Sequence, residues 1–228
     1  MNKKLYTLLF FLLVFVSPSL AQFSRPVSVG VGGGGTMLFG DMKEIPVGLA
    51  GHIDLDALIT PYLSVGINTQ AGKLLSNDGG SREATNKYIA LNGNVKLRAG
   101  QFFAPSDNYS YYMLNNRDLK SLLMNFYVGA GLGIIRNNVE RTWEPDNSLE
   151  EAYVANNKKA DLIIPLNFGI DIPFGQSLYG PTWALNLNYN HSLATEDNLD
   201  GRTNPNSNFK DQYNYWSIGV KVGLFNRN

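Results

Sequence analysis

Apolar residues alternate with small or polar residues along eight segments of this 228-residue chain. The clearest case is segment 183–190, where Trp183, Leu185, Leu187 and Tyr189 alternate with Ala184 and three asparagines. Because neighbouring side chains of a β-strand point to opposite faces of a sheet, this two-residue period predicts strands. The large apolar residues of the eight segments begin at Val27, Val47, Leu63, Ile89, Phe126, Leu162, Trp183 and Trp216.

The length and composition of these segments favour a barrel that spans a membrane. Segments of about ten to fourteen tilted residues cover the apolar band of an outer membrane, about 25 Å. One face is rich in Gly and Asn, which suit a narrow lumen. Aromatic residues gather near the segment ends, as in membrane-interface girdles; they are Tyr62, Phe102, Phe103, Phe126, Phe174 and Trp183 near one rim, and Phe39, Tyr88, Tyr213, Tyr215 and Trp216 near the other. We therefore predict an all-β, eight-stranded antiparallel transmembrane β-barrel with its apolar face outward.

The first residues have the layout of a secretory signal peptide. Lys3 and Lys4 precede the apolar run 5–16, and Ser19 and Ala21 are the small residues of a cleavage site. This predicts a signal peptide over 1–21 and an outer-membrane barrel domain over 22–228; an uncleaved anchor helix is the alternative. An even strand number places both termini of the barrel on the same side of the membrane, and both are expected in the periplasm, as in bacterial barrels.

Composition excludes several classes of protein. The chain has no Cys, so it forms no disulfide, thiolate metal site or acylated lipoprotein anchor. Loss of Lys3 and Lys4 lowers Lys+Arg from 19 to 17 against 19 acidic residues, a formal charge of −2. No basic patch points to a nucleic-acid partner. We expect no cofactor, because the glycine run 30–35 has no helix after it, as a dinucleotide fingerprint would require.

Charged residues fall on the polar face of the predicted strands. His52, Asp54 and Asp56 share one face, but about 13 Å along a strand is too far for three ligands of one ion. We therefore expect no metal site. Paired charges satisfy one another in a narrow interior, which predicts a lumen polar network without an open pore; its residues are His52, Asp54, Asp56, Lys96, Arg98, Asp161, Asp171 and Lys221.

The segments between the predicted strands differ at the two ends of the barrel. Outer loops are expected at Gly40–Glu44, Leu74–Asn86, Asn137–Lys159 and Thr195–Gln212, and periplasmic turns at Ile59–Pro61, Gln101–Met124 and Pro173–Pro181. In the middle turn, Asn116 can cap a short helix that places Leu119, Leu122 and Leu123 on one face. That face either packs under the rim or forms a periplasmic docking surface.

One pair of residues resembles a catalytic site. Some small outer-membrane barrels are lipid A acylhydrolases that use a His and a Ser near the outer end of a strand, and His191 and Ser192 occupy such a position. The pair is adjacent here, so the two side chains point to opposite faces, whereas a nucleophile and its base must be within hydrogen-bond reach. We predict no catalytic residue and no enzyme.

The end of the chain resembles the assembly signal of outer-membrane barrels, carried by Ser217, Gly219, Val222 and Leu224. Phe225 is out of phase with the terminal aromatic of that pattern. Other short motifs also resemble those of small outer-membrane barrels; they are 34–36 (GGT), 39–42 (FGDM), 163–169 (IIPLNFG), 197–201 (DNLDG) and 210–213 (KDQY).

On these motifs the chain is similar to the barrels related to the OmpA transmembrane domain and to OmpX. More narrowly, it resembles the subgroup with the barrel component of the type IX secretion and gliding machinery. This implies a non-enzymatic outer-membrane anchor whose partners are membrane lipid and lipopolysaccharide, the barrel-assembly machinery, and periplasmic secretion or lipoprotein components. The alternatives are an OmpX-like surface-interaction barrel acting through its outer loops, and the lipid A acylhydrolase.

Overall fold

Eight antiparallel strands close into one barrel, in which each strand pairs with its neighbours in the chain and the last strand pairs with the first. The computed structural model describes residues 27–40, 44–60, 62–79, 83–103, 119–142, 158–174, 183–197, 199–200 and 210–224. The strands are β1 (Val27–Phe39), β2 (Gly48–Leu58), β3 (Leu63–Asn77), β4 (Glu83–Arg98), β5 (Phe126–Arg141), β6 (Lys158–Phe174), β7 (Trp183–Ala194) and β8 (Gln212–Leu224). The predicted fold class is confirmed; the signal segment 1–21 lies outside the described residues.

The two ends of the barrel carry different elements. The terminal rim holds the start of β1, the end of β8 and two short helices, α1 (Gly100–Phe103) and α2 (Leu119–Met124). The loop rim is the opposite end, where β1 ends and β8 begins. Among the described residues, no helix is long and apolar enough to cross a membrane.

Large apolar side chains cover the outside of the wall. They occupy alternate positions on every strand, and the most exposed include Val31, Leu49, Ile53, Ile67, Ile89, Leu132, Ile134, Leu162 and Ile218. We call this surface the apolar belt. A continuous apolar surface of this size is unfavourable in water, whereas it is favourable in contact with lipid chains. The wall is therefore built to span a bilayer.

The strands are longer than the alternation predicts. They contain 11 to 17 residues, and the longest are β4, β5 and β6. The expected outer loop Leu74–Asn86 is wrong, because β3 runs to Asn77 and β4 begins at Glu83. The expected loop Asn137–Lys159 is also too long, since β5 continues to Arg141. Polar residues continue the backbone pairing beyond the apolar belt, so composition does not mark where a ladder ends.

Four tyrosines expected in the aromatic girdles lie inside the barrel instead. Tyr62, Tyr88, Tyr213 and Tyr215 are almost fully buried. The last three stand on the inward parity of β4 and β8, and position along a strand does not reveal which face a residue occupies. The outer surface near the loop rim carries Phe39, Tyr189 and Trp216; near the terminal rim it carries Phe102, Phe103, Phe126, Phe174 and Trp183.

The glycines of β1 allow the wall to close tightly. A Cβ atom on Gly32 would lie 2.6 Å from the Ile218 carbonyl oxygen and 2.6 Å from the His52 ring. Gly33 faces the other way, and a Cβ there would meet only the Ala50 carbonyl oxygen, at 3.4 Å. Glycine is thus required at position 32, where neighbouring backbone and the His52 ring approach closely, whereas a Cβ on Gly33 can be accommodated.

Candidate functional site

A cluster of buried ion pairs fills the barrel near the terminal rim. Asp56 from β2 accepts hydrogen bonds from Lys96 Nζ at 2.9 and 3.0 Å, and from Lys221 Nζ at 2.9 Å. Lys221 Nζ also lies 3.5 Å from an oxygen of Asp171, whose other oxygen is 3.2 Å from Arg98 Nη2. None of these side chains is more than 6% exposed. Five charges from four strands, β2, β4, β6 and β8, are thereby joined across the lumen.

Tyr127 lies within this ion-pair cluster. Both lysine ammonium groups, of Lys96 and Lys221, are 5.6 Å from the centre of its ring. Its hydroxyl donates to Asn188 at 3.0 Å and accepts from Asn186 at 2.9 Å. The ring therefore faces two cations while its hydroxyl is hydrogen-bonded, which lowers the cost of burying them.

Amides occupy the middle of the lumen. Asn167 donates to Asn94 at 2.9 Å, Asn190 donates to Asn167 at 2.9 Å, and Ser192 donates to Asn190 at 2.7 Å. An amide group carries both donors and an acceptor, so it can extend such a chain without adding charge. Sequence reasoning assigned asparagine to the interior but did not identify this chain of hydrogen bonds.

His52 and Asp54 form a second polar group beside the amides. His52 Nε2 is 3.2 Å from Asp54, and its Nδ1 is 2.7 Å from the Tyr215 hydroxyl. Asn68 donates to the other oxygen of Asp54 at 2.6 Å. His52, Asp54 and Asp56 share one strand face but do not form one site, because Asp56 is paired with Lys96 and Lys221 in the ion-pair cluster. No group of metal-ligating residues occurs in the described ranges.

All eight residues of the predicted lumen network are buried inside the barrel. Seven fall into the two groups just described. Asp161 lies apart, closer to the loop rim, where it accepts a hydrogen bond from Asn137 at 3.0 Å.

A folded-in segment occupies the lumen at the loop rim. Leu199 is fully buried in an apolar cluster with residues of the wall. Asn86 donates to the Leu199 carbonyl at 3.0 Å, and Ser76 donates to the Asp200 carbonyl at 3.1 Å. Part of the expected outer loop 195–212 therefore enters the barrel as a plug. Leu199 stands alone among polar residues, so the alternation of the sequence gave no sign of it.

Carboxyl groups meet beside this plug. Asp211 is fully buried; one of its oxygens accepts from the Leu199 amide at 2.6 Å, and the other has no hydrogen-bond partner within the described part of the chain. Burial, together with the nearby charges of Asp200 and Asp197, raises the pKa of Asp211 to about 9. Asp211 therefore keeps its proton to a higher pH than an exposed aspartate does.

The structure separates the two residues that resemble an acylhydrolase pair. His191 faces the outside of the wall, where its Nδ1 is 2.5 Å from Asn214 Oδ1. Ser192 is fully buried in the lumen and donates to Asn190. A wall of backbone lies between the two side chains, so the imidazole cannot take a proton from this hydroxyl.

The terminal rim carries the residues of the predicted docking surface. Leu123 on α2 is exposed and Leu122 is half-buried; Asn116 and the side chain of Leu119 lie outside the described residues. Phe102 and Phe103 of α1 are also strongly exposed. The two short helices at this rim therefore present exposed apolar side chains.

The residues of the predicted assembly signal alternate along β8. Ser217 and Gly219 face the lumen, while Val222 and Leu224 face outward. Phe225 and the residues after it lie outside the described part.

Comparisons with known proteins return structural similarity only. No family model matches the chain, and no curated protein matches it. Neisserial surface protein A is 10% identical and covers 87% of this chain and 97% of its own, with a TM-score of 0.46. The attachment invasion locus protein Ail of Yersinia pestis is 8% identical over 89% and 100%, with a TM-score of 0.48. The outer membrane protein OprG of Pseudomonas aeruginosa is 10% identical over 90% and 99%, with a TM-score of 0.37. TM-scores below 0.5 are too low to assign a fold, so the assignment of the barrel is based on the strand pairing described above.

Proposed function

We propose that this chain is a non-enzymatic integral protein of the outer membrane that acts as a closed anchor. The filled interior carries this proposal. Ion pairs fill the lumen near the terminal rim, amides its middle, and the Leu199 plug its other end. An eight-stranded barrel is just wide enough to be filled by side chains. The rims and the apolar belt are then the surfaces left for function.

The finer proposal is that the terminal rim docks a periplasmic component of a type IX-like secretion apparatus. This proposal is supported by the exposure of Leu123, Phe102 and Phe103 at the rim where β1 begins and β8 ends. Aromatic and leucine side chains that remain exposed at a rim are typical of contact with a partner or with headgroups. The motif resemblance in the sequence points to the same class of machinery.

Site-directed photo-cross-linking in native cells tests the docking proposal. A photoreactive phenylalanine analogue at position 123 should yield a cross-linked periplasmic protein. The matched control is position 132 at mid-wall, where Leu132 is 73% exposed on the apolar belt; it should cross-link only lipid. Folded barrel without any protein adduct at position 123 would refute docking at this helix.

Planar-bilayer recording tests the closed anchor. The purified barrel should insert without stepwise conductance, because its lumen is occupied by bonded side chains. Sustained open-channel currents from the folded protein would contradict the proposal.

A second candidate is a surface-interaction barrel. Strands β3 to β6 continue beyond the apolar belt toward the loop rim, which builds a raised wall on one side of the barrel. Exchange of residues 142–157 for a short glycine-serine linker distinguishes the two functions. It should abolish cell or matrix attachment if the loops act, and leave cross-linking at position 123 unchanged.

A further inference from the structure

Three basic side chains stand together on the outside of the wall, on β3, β4 and β5. Lys73, Lys87 and Arg136 are all exposed and all face outward. Lys73 and Lys87 are direct cross-strand partners, and Arg136 is paired with Ile89, two residues along β4 from Lys87. Side chains in such positions are about 5 Å apart when directly opposite and about 7–8 Å apart on the diagonal. We call these three residues the basic triad.

Like charges directly opposite each other destabilise a sheet, so the basic triad requires counter-charge. Of the three residues of the basic triad, only Lys87 has an acidic partner within the described residues: its Nζ lies 2.6 Å from Glu140 Oε1. Neither Lys73 nor Arg136 forms an ion pair there. The patch therefore keeps an excess of two positive charges on a chain whose total formal charge is zero.

The position of the basic triad specifies what kind of anion can meet it. Ile89 and Ile134, which belong to the apolar belt, lie directly next to it along β4 and β5 toward the terminal rim. A depression of about 400 Å³ is lined by Lys87, Ile89, Arg136 and two asparagines. An anion bound here has charged groups on one side and lipid-facing side chains on the other. A free anion would contact only the charged groups.

The opposite side of the barrel shows that this charge is local. Toward the loop-rim ends of β7 and β8, the outward residues include His191 and Asn214, which are hydrogen-bonded to each other. On β6, which flanks the basic triad, Lys159 is already paired with Glu196. The excess charge is therefore a property of β3 to β5 and not of the whole rim.

We propose that the basic triad binds the phosphate groups of lipid A in the outer leaflet, with the acyl chains lying along Ile89 and Ile134. Lipid A carries two phosphates on a rigid disaccharide and several acyl chains, which matches three cations above an apolar surface. Arginine and lysine form charge-assisted hydrogen bonds with phosphate oxygens. The inference rests on the outer-membrane placement proposed above, with the loop rim facing outward.

Lipid titration of the intact barrel, followed by native mass spectrometry, tests the site. Hexa-acyl lipid A bearing both phosphates should bind the wild-type barrel more tightly than phosphatidylglycerol. The variant K73Q/R136Q should weaken lipid A binding by at least about tenfold, because two charge-assisted hydrogen bonds are lost. R136Q alone should also weaken binding, whereas the charge-matched control K210Q, which removes a positive charge beside β8, should retain wild-type affinity. E140Q, which frees Lys87, should bind lipid A more tightly.

Three results would overturn the site. One is equal affinity of wild type and K73Q/R136Q for lipid A. Another is an equal loss in the control variant, which would indicate general electrostatics, and the third is equal affinity for phosphatidylglycerol. Each preparation is first scored for folding by its heat-modifiable migration on a gel. Loss of lipid A binding by a folded barrel therefore overturns the lipid site alone, whereas failure to insert into a bilayer overturns the anchor as well.

Discussion

Replacement of Asp56 by Asn tests whether the buried ion pairs hold the barrel closed. Asp56 contacts both Lys96 and Lys221, and it is the only carboxylate within 4 Å of Lys96 among the described residues. Without its charge, Lys221 keeps Asp171 at 3.5 Å, while Lys96 keeps only the ring of Tyr127. The substitution therefore leaves one ammonium group buried without a counter-ion.

The expected cost follows from that single unpaired charge. Removal of one partner of a buried ion pair destabilises proteins by about 3–5 kcal/mol, because the remaining charge stays away from water. The cation–π contact with Tyr127 offsets about 1–2 kcal/mol of this. We expect D56N to lower the free energy of unfolding by about 1–4 kcal/mol. The double variant D56N/K96M removes the unpaired charge and should recover most of the loss.

Urea unfolding of the refolded barrel in detergent measures these values, with tryptophan fluorescence as the probe. The control is E140Q, which breaks the Lys87–Glu140 pair at the surface, where the side chains are 50% and 56% exposed. Such a pair contributes at most about 1 kcal/mol. A midpoint of D56N equal to wild type, or a double variant less stable than D56N, would refute the reasoning.

Three further predictions follow from the packing of the lumen. G32A should lower the free energy of unfolding by about 1–3 kcal/mol or block refolding, because its Cβ would lie 2.6 Å from the Ile218 carbonyl oxygen. G33A should stay within about 0.5 kcal/mol of wild type, and gel migration and urea midpoints compare the two variants. L199A should open the plug, so that a protease cleaves the segment 195–211 faster while the wall keeps its folded migration; unchanged cleavage would argue against a plug. The pKa of Asp211, raised to about 9 from an unfolded value near 3.9, makes the folded state bind more protons between these values, so stability should fall as pH rises, by up to about 1.4 kcal/mol per unit; D211N should flatten this slope between pH 5 and 8.

The strand number and the choice of faces could be predicted from the sequence because both follow from local rules. Alternation in 183–190 identifies β7, and asparagine opposite leucine assigns its inward face. The same rule assigned Lys96, Arg98 and Lys221 to the lumen. The ends of β3 and β4 could not be predicted, since Ser76 and Asn86 continue the backbone pairing with the composition of a loop.

The partners of the buried charges required the register between strands. Sequence places Asp56, Lys96 and Lys221 on inward faces, but only the closed barrel brings β2, β4 and β8 around one lumen. Leu199 and Asp211 were missed for a different reason. Both lie between β7 and β8, outside the strands, where no two-residue alternation marks which residues are buried.

The buried charges also explain why the wall holds one register. A shift of one residue in any strand exchanges its inward and outward faces. On β4 this would move Lys96 and Arg98 to the lipid-facing side near the terminal rim, at up to about 1 kcal/mol for each charge near the interface, and Leu97 into the lumen. It would also separate Lys96 from Asp56. The wall therefore tolerates little change in its inward residues, whereas the side chains of the terminal rim and the basic triad contribute nothing to this constraint. Variation of the rims and of the outer surface can alter what the barrel binds without altering how it folds.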